Sequence, residues 1–332
     1  MNKVSRKDVA EYAGVTETIV SYVLNDNRYV KKEKKEAVLN AVKVLGYKPN
    51  RFARALKGKE LKHILLLLDR IRTEYAGEII TEVDRFSENL GYMVSVSIIE
   101  NNEEFVKKIL EWQVSGVVIS SIYFDEKYIQ TLADAGIAVV VFESREYPNL
   151  EGVTLINTGL YKGAKISVEY LYNAGCRKIG YVDRVSAKGT FSTYSDKRLK
   201  GYTDAMNEFG LEPIIISNCY STEELERKLS TLFLEKKIDG LFCRTDEMAV
   251  IALNTAHRCG LNVPQDISVI GLDNSALSRS AFPKLTSVKL DRSAFSEAAV
   301  HAIEHHSATR MKENERLTFE PSLVIRESVK EE

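Results

Sequence analysis

Residues 8–25 read DVAEYAGVTETIVSYVLN, and this stretch decides the fold of the first part of the chain. Ser5 has the spacing of a capping box with Asp8, which predicts the start of a short helix, and Gly14 predicts its end. Thr16 is a suitable cap for a second helix. Two short helices joined by a glycine turn are typical of the helix-turn-helix motif, whose second helix lies in the major groove of DNA.

Apolar periodicity extends this motif to a unit of three helices. One face of the second helix is apolar and consists of Val20, Val23 and Leu24. The opposite face is polar and consists of Glu17, Thr18, Ser21 and Tyr22. A third helix is predicted from about residue 32 to residue 45, and its core face is expected to comprise Val38, Leu39, Val42 and Leu45. The helix pattern alone leaves open whether this unit binds DNA.

The charges of the chain are divided unevenly between this unit and the rest. The 332 residues contain 46 Lys and Arg against 47 Asp and Glu, a formal net charge of −1. Residues 1–60 hold fourteen cationic against seven anionic side chains, a net charge of +7, which leaves −8 for the other 272 residues. A basic module joined to an acidic body is typical of DNA-binding proteins, because cations that neutralise phosphates supply non-specific affinity.

Residues 8–25, followed by YKPNRFARALKGK at 47–59, resemble the lactose-repressor/galactose-repressor family of bacterial transcription regulators. The usual family form is D-[VI]-A-x-x-A-G-V-[ST]-x-x-T-V-S-R-V-L-N, then Y-x-P-N-x-x-A-R-x-L, and both motifs stand here at their proper separation. The resemblance implies a DNA-binding head over residues 1–48. Its expected DNA contacts are Ser5, Thr16, Glu17, Thr18, Ser21, Tyr22, Asn25, Lys34 and Lys35, of which the two lysines would touch only the DNA backbone.

The second motif is implied to be a hinge. Residues 49–60 would form a hinge helix and linker that become ordered on DNA beside the symmetry mate, since two helical turns are marginal alone. Leu56 would insert between base pairs in the minor groove and bend the operator at its centre. The other expected contacts of this segment are Asn50, Arg51, Ala53 and Arg54.

Two positions depart from the family pattern. Ile19 replaces a Thr, which removes a phosphate hydrogen bond, and Tyr22 replaces an Arg, whose bidentate contact with guanine a phenol cannot reproduce. We therefore expect an operator unlike the commonest family consensus. Glu17 is a candidate for accepting a hydrogen bond from cytosine, but an acid in the first turn also stabilises the helix dipole, and both interpretations stay open.

The remainder of the chain alternates strand-like and helical segments. The predicted strands are HILLLL (63–68), MVSVSII (93–99), GVVIS (116–120), AVVVF (138–142), KIGYV (178–182), PIIIS (213–217), GLFC (240–243) and ISVIG (267–271). Continuous apolar strands between helices predict parallel sheets covered on both faces. The glycines that lead into strands also repeat, as Gly91, Gly116 and Gly136 and again as Gly210, Gly240 and Gly260. This duplication predicts two similar lobes with a cleft between them.

Polar residues near the strand ends form a candidate ligand site, because ligands of such sheets bind beyond the carboxyl ends of the strands. The candidates are Tyr75, Ser121, Ser144, Arg198, Tyr220, Thr245 and Asp273. Arg198 and Asp273 could hold vicinal hydroxyls by charge-assisted hydrogen bonds, and the two tyrosines could stack on a sugar or a base. Asp246 is better interpreted as a cap of the helix that follows it.

The body is also similar to periplasmic-type sugar-binding proteins, and the family implied above binds small molecules, mostly sugars, in the corresponding cleft. Arg198 and Asp273 match recurrent ligand-holding positions of that family. Ser144 stands where an Asp is common, and Thr245 where Asn or Asp is common. The loss of two strong polar contacts implies a ligand that is unusual, smaller or not a free sugar.

Composition and motifs disfavour other classes of protein. A hydrophobic share of 44% with 28% charged residues excludes a disordered, collagenous or membrane-embedded chain. We predict no cofactor and no metal, because His301 and His305 lack an H-E-x-x-H motif and the four cysteines are dispersed. An enzyme of this architecture, such as a sugar-processing hydrolase with a DNA-binding head, is the alternative; it would need paired carboxylates, of which only Asp273 is convincing. The N-terminus has no apolar run of signal-peptide length, so we expect a cytoplasmic, nucleoid-associated protein.

The predicted fold is an all-α helix-turn-helix head followed by an α/β body of two doubly wound parallel-sheet lobes, like a periplasmic binding protein. The body would comprise residues 61–332, with lobe one at about 61–159 plus 290–319 and lobe two at about 160–289 plus 320–332. The predicted function is a DNA-binding transcription regulator, most simply a repressor, controlled by a sugar-like small molecule. A pseudo-palindromic operator implies a homodimer. PSLVIRE (321–327) is predicted as the final strand. The five residues after it are too few for a heptad helix, which argues against a tail-linked tetramer.

Overall fold

The computed structural model describes residues 4–25, 28–47, 62–309 and 314–331. These residues belong to two compact units, one before residue 62 and one from Lys62 on, which we name the head and the body. The expected DNA contacts that lie outside the described residues are Asn50, Arg51, Ala53, Arg54, Leu56 and the side chain of Asn25. None of the helices in the described ranges has the length and apolar character needed to cross a membrane.

The head consists of α1 (Arg6–Ala13), α2 (Glu17–Asn25) and α3 (Lys32–Leu45). The predicted capping box is confirmed: the Asp8 amide donates to Ser5 Oγ at 3.3 Å, and the Ser5 amide donates to the Asp8 carboxylate at 2.6 Å. Gly14 has a φ of 63°, so a residue that tolerates the left-handed region ends α1 as predicted. The start and the end of the first helix are therefore both set by local sequence, the capping box at Ser5 and the left-handed glycine at Gly14.

The core of the head lies where one face of each helix meets the other two. Val9, Val20 and Val38 are fully buried there. The expectation that Leu39 belongs to this core is wrong, because its side chain is 49% exposed. Successive helical residues are rotated by about 100°, so a core that contains Val38 is completed by Ala41 rather than by Leu39.

The body alternates strands and helices. In chain order its elements are β1 (His63–Leu68), α4 (Glu74–Asn89), β2 (Met93–Ile98), α5 (Glu103–Glu111), β3 (Gly116–Ser120), α6 (Glu126–Asp134), β4 (Ala138–Phe142), β5 (Thr154–Asn157), α7 (Leu160–Asn173), β6 (Ile179–Val182), α8 (Lys197–Glu208), β7 (Ile214–Ile216), α9 (Thr222–Leu234), β8 (Gly240–Cys243), α10 (Asp246–Arg258), β9 (Ser268–Leu272), α11 (Ala276–Ser280), β10 (Thr286–Lys289), α12 (Arg292–Thr309), β11 (Glu315–Thr318) and β12 (Ser322–Val324).

The strands form two six-stranded sheets with the same topology. The first has the order β11-β5-β4-β3-β1-β2 and the second the order β12-β10-β9-β8-β6-β7. Pairing is parallel within both sheets except between β10 and β12, which are antiparallel. The predicted duplication is thus visible as two copies of one strand order. Three short strands, β5, β10 and β11, were not predicted from the sequence pattern.

The duplication extends to the close packing at the first residue of β3 and of β8. A Cβ atom at Gly116 would lie 2.5 Å from Cγ2 of Ile303, and one at Gly240 would lie 3.0 Å from Sγ of Cys176. Glycine lets a helix or loop lie directly on the start of a central strand in both sheets. The two glycines found by sequence repetition therefore have the same physical role.

Two helices pack against the sheet that does not contain the strand before them. α12 follows β10 of the second sheet, yet it packs against α4 and β4 of the first. α7 follows β5 of the first sheet and packs against α8 and strands of the second. These crossings hold the two sheets side by side, with the carboxyl ends of their strands available to form a shared cavity.

Candidate functional site

A cavity of about 380 Å³ lies where the ends of eight strands meet, four from each sheet. Six of the seven side chains predicted for the ligand site line it, namely Tyr75, Ser121, Ser144, Arg198, Thr245 and Asp273. Tyr220 does not line it. Its ring is 55% exposed and packs edge-on against Phe191, with 5.3 Å between the ring centroids. The rule that ligands bind beyond strand ends thus locates the cavity and six of the residues that line it.

The wall formed by the first sheet presents hydroxyl groups that are already hydrogen bonded. Tyr75 Oη lies 2.9 Å from Ser120 Oγ, and burial raises the pKa of Tyr75. Ser144 Oγ donates to the carbonyl of Ser121 at 2.6 Å. Ser121 Oγ in turn accepts from the Phe124 amide at 3.1 Å. These hydroxyls fix the loops after β3 and β4, and they offer a ligand their remaining acceptor capacity.

Asp273 follows β9 and makes an ion pair across the cavity. Arg292, at the start of α12, donates to its carboxylate at 2.8 Å and to Glu78 of α4 at 2.5 Å. Burial raises the pKa of Asp273 to about 6, against the opposing effect of Arg292 and Arg198. The backbone of Asp273 has a φ of 122°, which is unusual for a residue with a side chain. The carboxylate is therefore held at the cavity by its partner, and its ionisation lies close to neutral pH.

A second ion pair orders the loop between β6 and α8. Arg244 donates to Asp196 at 2.8 Å and to Ser192 Oγ at 2.6 Å, and it lies 3.6 Å from Asp183. Burial alone would lower the pKa of Arg244, but the two carboxylates and Tyr181 raise it. This pairing keeps Arg244 charged and holds the loop that leads into Arg198.

Arg198 and Arg184 contribute positive charge to the same wall. Burial and the neighbouring Arg244 lower the pKa of Arg198. Nε and Nη1 of Arg198 are buried without a hydrogen-bond partner among the described residues. Burial, Arg244 and Arg198 lower the pKa of Arg184 to about 10. Two guanidinium groups with spare donors thus face the space that a ligand would fill.

The expectation that Asp246 caps its helix is wrong by one residue. Thr245 is the cap of α10, because its Oγ1 accepts from the Met248 amide at 3.4 Å. The buried carboxylate of Asp246 accepts from the amide and the hydroxyl of Ser275, both at 2.7 Å, and from Ser287 Oγ at 2.5 Å. Asp246 therefore ties α10 to the segment after β9 and to β10 itself.

Sequence reasoning missed several charged residues of the lining, among them Asp69, Arg184, Arg244 and Arg292. Asp69 and Arg244 directly follow β1 and β8, and Arg184 is the second residue after β6, so the strand-end rule contains the signal that would have found them. Arg292 comes from the start of a helix, and only the folded chain brings it to Asp273 and Glu78.

The head presents its polar residues on α2. Glu17 and Thr18 are exposed, and Tyr22 is half-buried. Arg28, which was not predicted, donates to Tyr22 Oη at 3.4 Å, and its guanidinium lies 5.3 Å from the centre of that ring. Ile19 packs against the core of the head. The family pattern has an arginine at position 22. In this chain Tyr22 takes that position, and the guanidinium of Arg28 lies beside it.

The remaining predicted contacts of the head also lie on its outer parts. Ser5, Thr16 and Lys34 are exposed, and Ser21 and Lys35 are half-buried. Thr16 Oγ1 accepts from the Ile19 amide at 3.4 Å, so it acts as the predicted cap of α2.

A helix-turn-helix head joined to two parallel sheets around a polar cavity defines a class of bacterial transcription regulators. Residues 6–50 match the family described as bacterial regulatory proteins, lacI family. Residues 168–329 match a periplasmic binding protein-like domain. Both parts of the predicted fold are therefore confirmed.

Relatives and solved structures extend these matches to nearly the whole chain. The HTH-type transcriptional repressor PurR of Histophilus somni (strain 129Pt) is 32% identical over 333 residues, 98% of each chain. The crystal structure of the lac repressor dimer bound to operator and the anti-inducer ONPF has 25% sequence identity and a TM-score of 0.84. The superposition covers 99% of this chain and 100% of the lac repressor chain. The transcriptional regulator CelR in complex with cellobiose shares the fold, with a TM-score of 0.70 and 22% identity. This match covers 98% of this chain and 100% of the CelR chain. The chain belongs to the lacI family of bacterial regulatory proteins and is a transcriptional repressor of that family.

Proposed function

We propose that this repressor binds a pseudo-palindromic operator as a homodimer, and that a small molecule in the cavity of the body controls its affinity for that operator. The molecule is a sugar or a sugar derivative. The observation that carries the proposal is the cavity itself, which is lined by charged and hydroxyl-bearing side chains from both sheets. Its volume of about 380 Å³ lies in the range of small-molecule sites. Solved relatives that are bound to operator or to cellobiose support the same assignment.

The effector-binding residues that we propose are those that line the cavity at the positions expected from sequence. They are Tyr75, Ser121, Ser144, Arg198, Thr245 and Asp273. Tyr220 is not proposed, because it lies outside the lining. The ionised carboxylate of Asp273 accepts hydrogen bonds from ligand hydroxyls, and the ring of Tyr75 packs on an apolar face of the ligand.

Contacts between the two lobes give the ligand a means of control. The carboxylate of Glu74 in α4 accepts from the amide of Ala276 in α11 at 2.7 Å. The amide of Lys197 donates to the carbonyl of Ser144 at 3.0 Å. A ligand held by both lobes stabilises one arrangement of them by its differential affinity. We propose that residues 49–60, which join head and body, transmit this change, with Leu56 as the residue that enters the minor groove.

In the head, α2 is proposed as the element that enters the major groove. Glu17, Thr18, Ser21 and Tyr22 are its base-reading candidates, and Arg28 joins them because it lies against Tyr22. The backbone contacts are assigned to Ser5, Thr16, Lys34 and Lys35. Since Tyr22 replaces an arginine, the operator differs from the commonest family consensus.

We propose a regulator rather than an enzyme, and a location in the cytoplasm at the nucleoid. The relatives that match 98% of the chain are named transcriptional repressors, which supports a regulatory role. A repressor of this family acts where chromosomal DNA is, which supports the location.

Selection of operators from a random DNA library tests the DNA-binding part of the proposal. The full-length protein should enrich a pseudo-palindrome, and fluorescence anisotropy should give a stoichiometry of two chains per duplex. Tyr22→Ala should weaken the selected operator by about tenfold or more, because a base contact contributes about 1–3 kcal/mol. Tyr194→Ala, which removes an exposed tyrosine of the body, is the matched control and should leave the affinity unchanged. Enrichment of unrelated sequences, or of a site without symmetry, would contradict the proposal.

A further inference from the structure

Two guanidinium groups of the cavity have no carboxylate within ion-pair distance among the described residues. Nε and Nη1 of Arg198 are buried and have no hydrogen-bond partner within the described part of the chain. Arg184 is half-buried, and the same part of the chain gives it no hydrogen bond and no ion pair. Both side chains line the wall formed by the second sheet. Donors that are removed from water without a partner are costly, so their presence points to a group that the ligand supplies.

Most other ionic groups around this wall already have partners, although Oδ1 of Asp69 is buried without a hydrogen bond among the described residues. Arg244 is paired with two carboxylates, those of Asp196 and Asp183, and Arg292 is also paired with two, those of Asp273 and Glu78. The carboxylate of Asp246 accepts three hydrogen bonds from Ser275 and Ser287, and that of Glu74 accepts from the Ala276 amide. Among the described residues, the guanidinium groups of Arg184 and Arg198 therefore have no carboxylate in direct contact. Asp69 and Asp183 raise the pKa of Arg184, and Asp196 and Asp273 that of Arg198, only from a greater distance.

The arginines also repel one another. Burial first and neighbouring arginines second lower the pKa values of Arg184 and Arg198, and nearby carboxylates offset only part of this effect. Clustered like charges destabilise each other in a partly dehydrated cavity, and an anion placed among them removes that cost. A neutral hydroxyl group would satisfy the donors without neutralising the charge.

We propose that the effector carries an oxyanion, a phosphate or a carboxylate, which Arg184 and Arg198 bind together while Asp273 faces the hydroxyl-bearing part of the molecule. The inference rests on the proposed function, since it assigns the chemical class of that effector. Guanidinium groups suit this role because their planar donors match oxyanions in a bidentate geometry. The ligand is on this basis an anionic sugar derivative rather than a free sugar.

Inorganic phosphate is the probe for the anion subsite. The melting temperature of the full-length protein is measured against phosphate concentration, with chloride at matched ionic strength as the reference. Phosphate should raise the melting temperature of the wild type in a saturable way. Arg184→Ala and Arg198→Ala should each weaken the apparent affinity by about tenfold or more, the effect expected for a lost charge-assisted hydrogen bond. Arg184→Lys should retain part of the response.

Lys188→Ala is the matched control, since it removes an exposed positive charge from the loop that also carries Arg184. Its response to phosphate should equal that of the wild type. Circular dichroism and operator binding establish that each variant is folded. The proposal is overturned if phosphate gives no more stabilisation than chloride, or if both arginine variants respond as the wild type does.

A second set of titrations separates the possible anions. Glucose 6-phosphate and ribose 5-phosphate represent phosphates, gluconate represents carboxylates, and glucose and ribose are the neutral parents. An anionic member should bind at least tenfold more tightly than its neutral parent, and this preference should be lost in Arg184→Ala. If a neutral sugar binds more tightly and changes operator affinity, the proposed function stands and the anionic effector is wrong. If an anion binds but leaves operator affinity unchanged, the anion subsite stands and the proposed control of DNA binding is wrong.

Discussion

Replacement of Arg244 by methionine tests how the loop between β6 and α8 is held against the cavity. The side chains of Arg244 and Asp196 are only 4% and 3% exposed, and their charged atoms are 2.8 Å apart. Asp183, which is also buried, lies 3.6 Å from Arg244 and accepts two hydrogen bonds from Ser192. Arg244→Met keeps the approximate volume of the side chain but leaves two buried carboxylates without the cation that contacts them.

The expected cost follows from that burial. Removing one partner of a buried ion pair destabilises a protein by about 3–5 kcal/mol, because the other charge stays buried and uncompensated. At roughly 2 °C per kcal/mol for a unit as large as the body, Arg244→Met should lower its melting temperature by about 6–10 °C. The measurement is differential scanning calorimetry of the full-length protein.

Two further variants control this result. Arg258→Met breaks a 2.7 Å pair with Glu226 in which the arginine side chain is 54% exposed, so the loss should be about 0–1 kcal/mol. Asp196→Asn, added to Arg244→Met, removes one of the two unpaired buried charges. Because asparagine can still cap α8, the double variant should regain part of the lost stability. If Arg244→Met and Arg258→Met lower the melting temperature equally, the reasoning about the buried pair is refuted.

Three further predictions concern packing, titration and capping. Gly201→Ala should lower the melting temperature of the body by several degrees, because the new Cβ would collide with the carbonyl oxygen of Tyr161. Gly77→Ala in α4 is the control: its Cβ meets no atom within 4 Å, so it should stabilise the body by about 0.5–1 kcal/mol in the same scans. Burial raises the pKa of Asp273 to about 6, so the folded protein keeps this carboxyl group protonated between about pH 4 and 6. Effector affinity measured by calorimetry should therefore rise from about pH 5 to 7.5 as the carboxylate ionises. Asp273→Asn should flatten that profile. Ser5→Ala removes the capping box of α1 and should cost about 1 kcal/mol, seen as faster hydrogen exchange in that helix and not in the body.

Local signals in the sequence predicted the head well. Caps and left-handed glycines depend on neighbouring residues only, so Ser5, Gly14 and Thr16 were assigned correctly. Leu39 was misassigned because helical spacing allows adjacent residues to be assigned to one face, and only the packing of three helices decides between them. Arg28 had no signal, since its contact with Tyr22 depends on the chain path after α2.

In the body, burial explains both what could be predicted and what could not. Fully apolar strands such as β1 and β4 are covered on both faces, so their sequence alone reveals them. Short strands that begin with a polar residue, such as Thr154–Asn157, carry too weak a pattern. The strand-end rule located the cavity, but the partner of Asp273 is Arg292, at the start of a helix 19 residues further on, and nothing in the sequence pattern links the two. Charge pairing of this kind depends on tertiary structure.

The central claim is that a ligand in the cavity controls operator binding, and fluorescence anisotropy with the selected operator tests it most directly. Wild type and Asp273→Asn are titrated with operator in the absence and presence of a saturating effector. Saturation is judged by the effector's thermal shift. We predict that the effector changes operator affinity by about tenfold or more in the wild type. At the effector concentration that saturates the wild type, Asp273→Asn should show no such change, because loss of the carboxylate weakens effector binding. Its effector-free operator affinity should stay the same. An equal effector response in both proteins, or no response in a wild type that binds the effector, would contradict the claim.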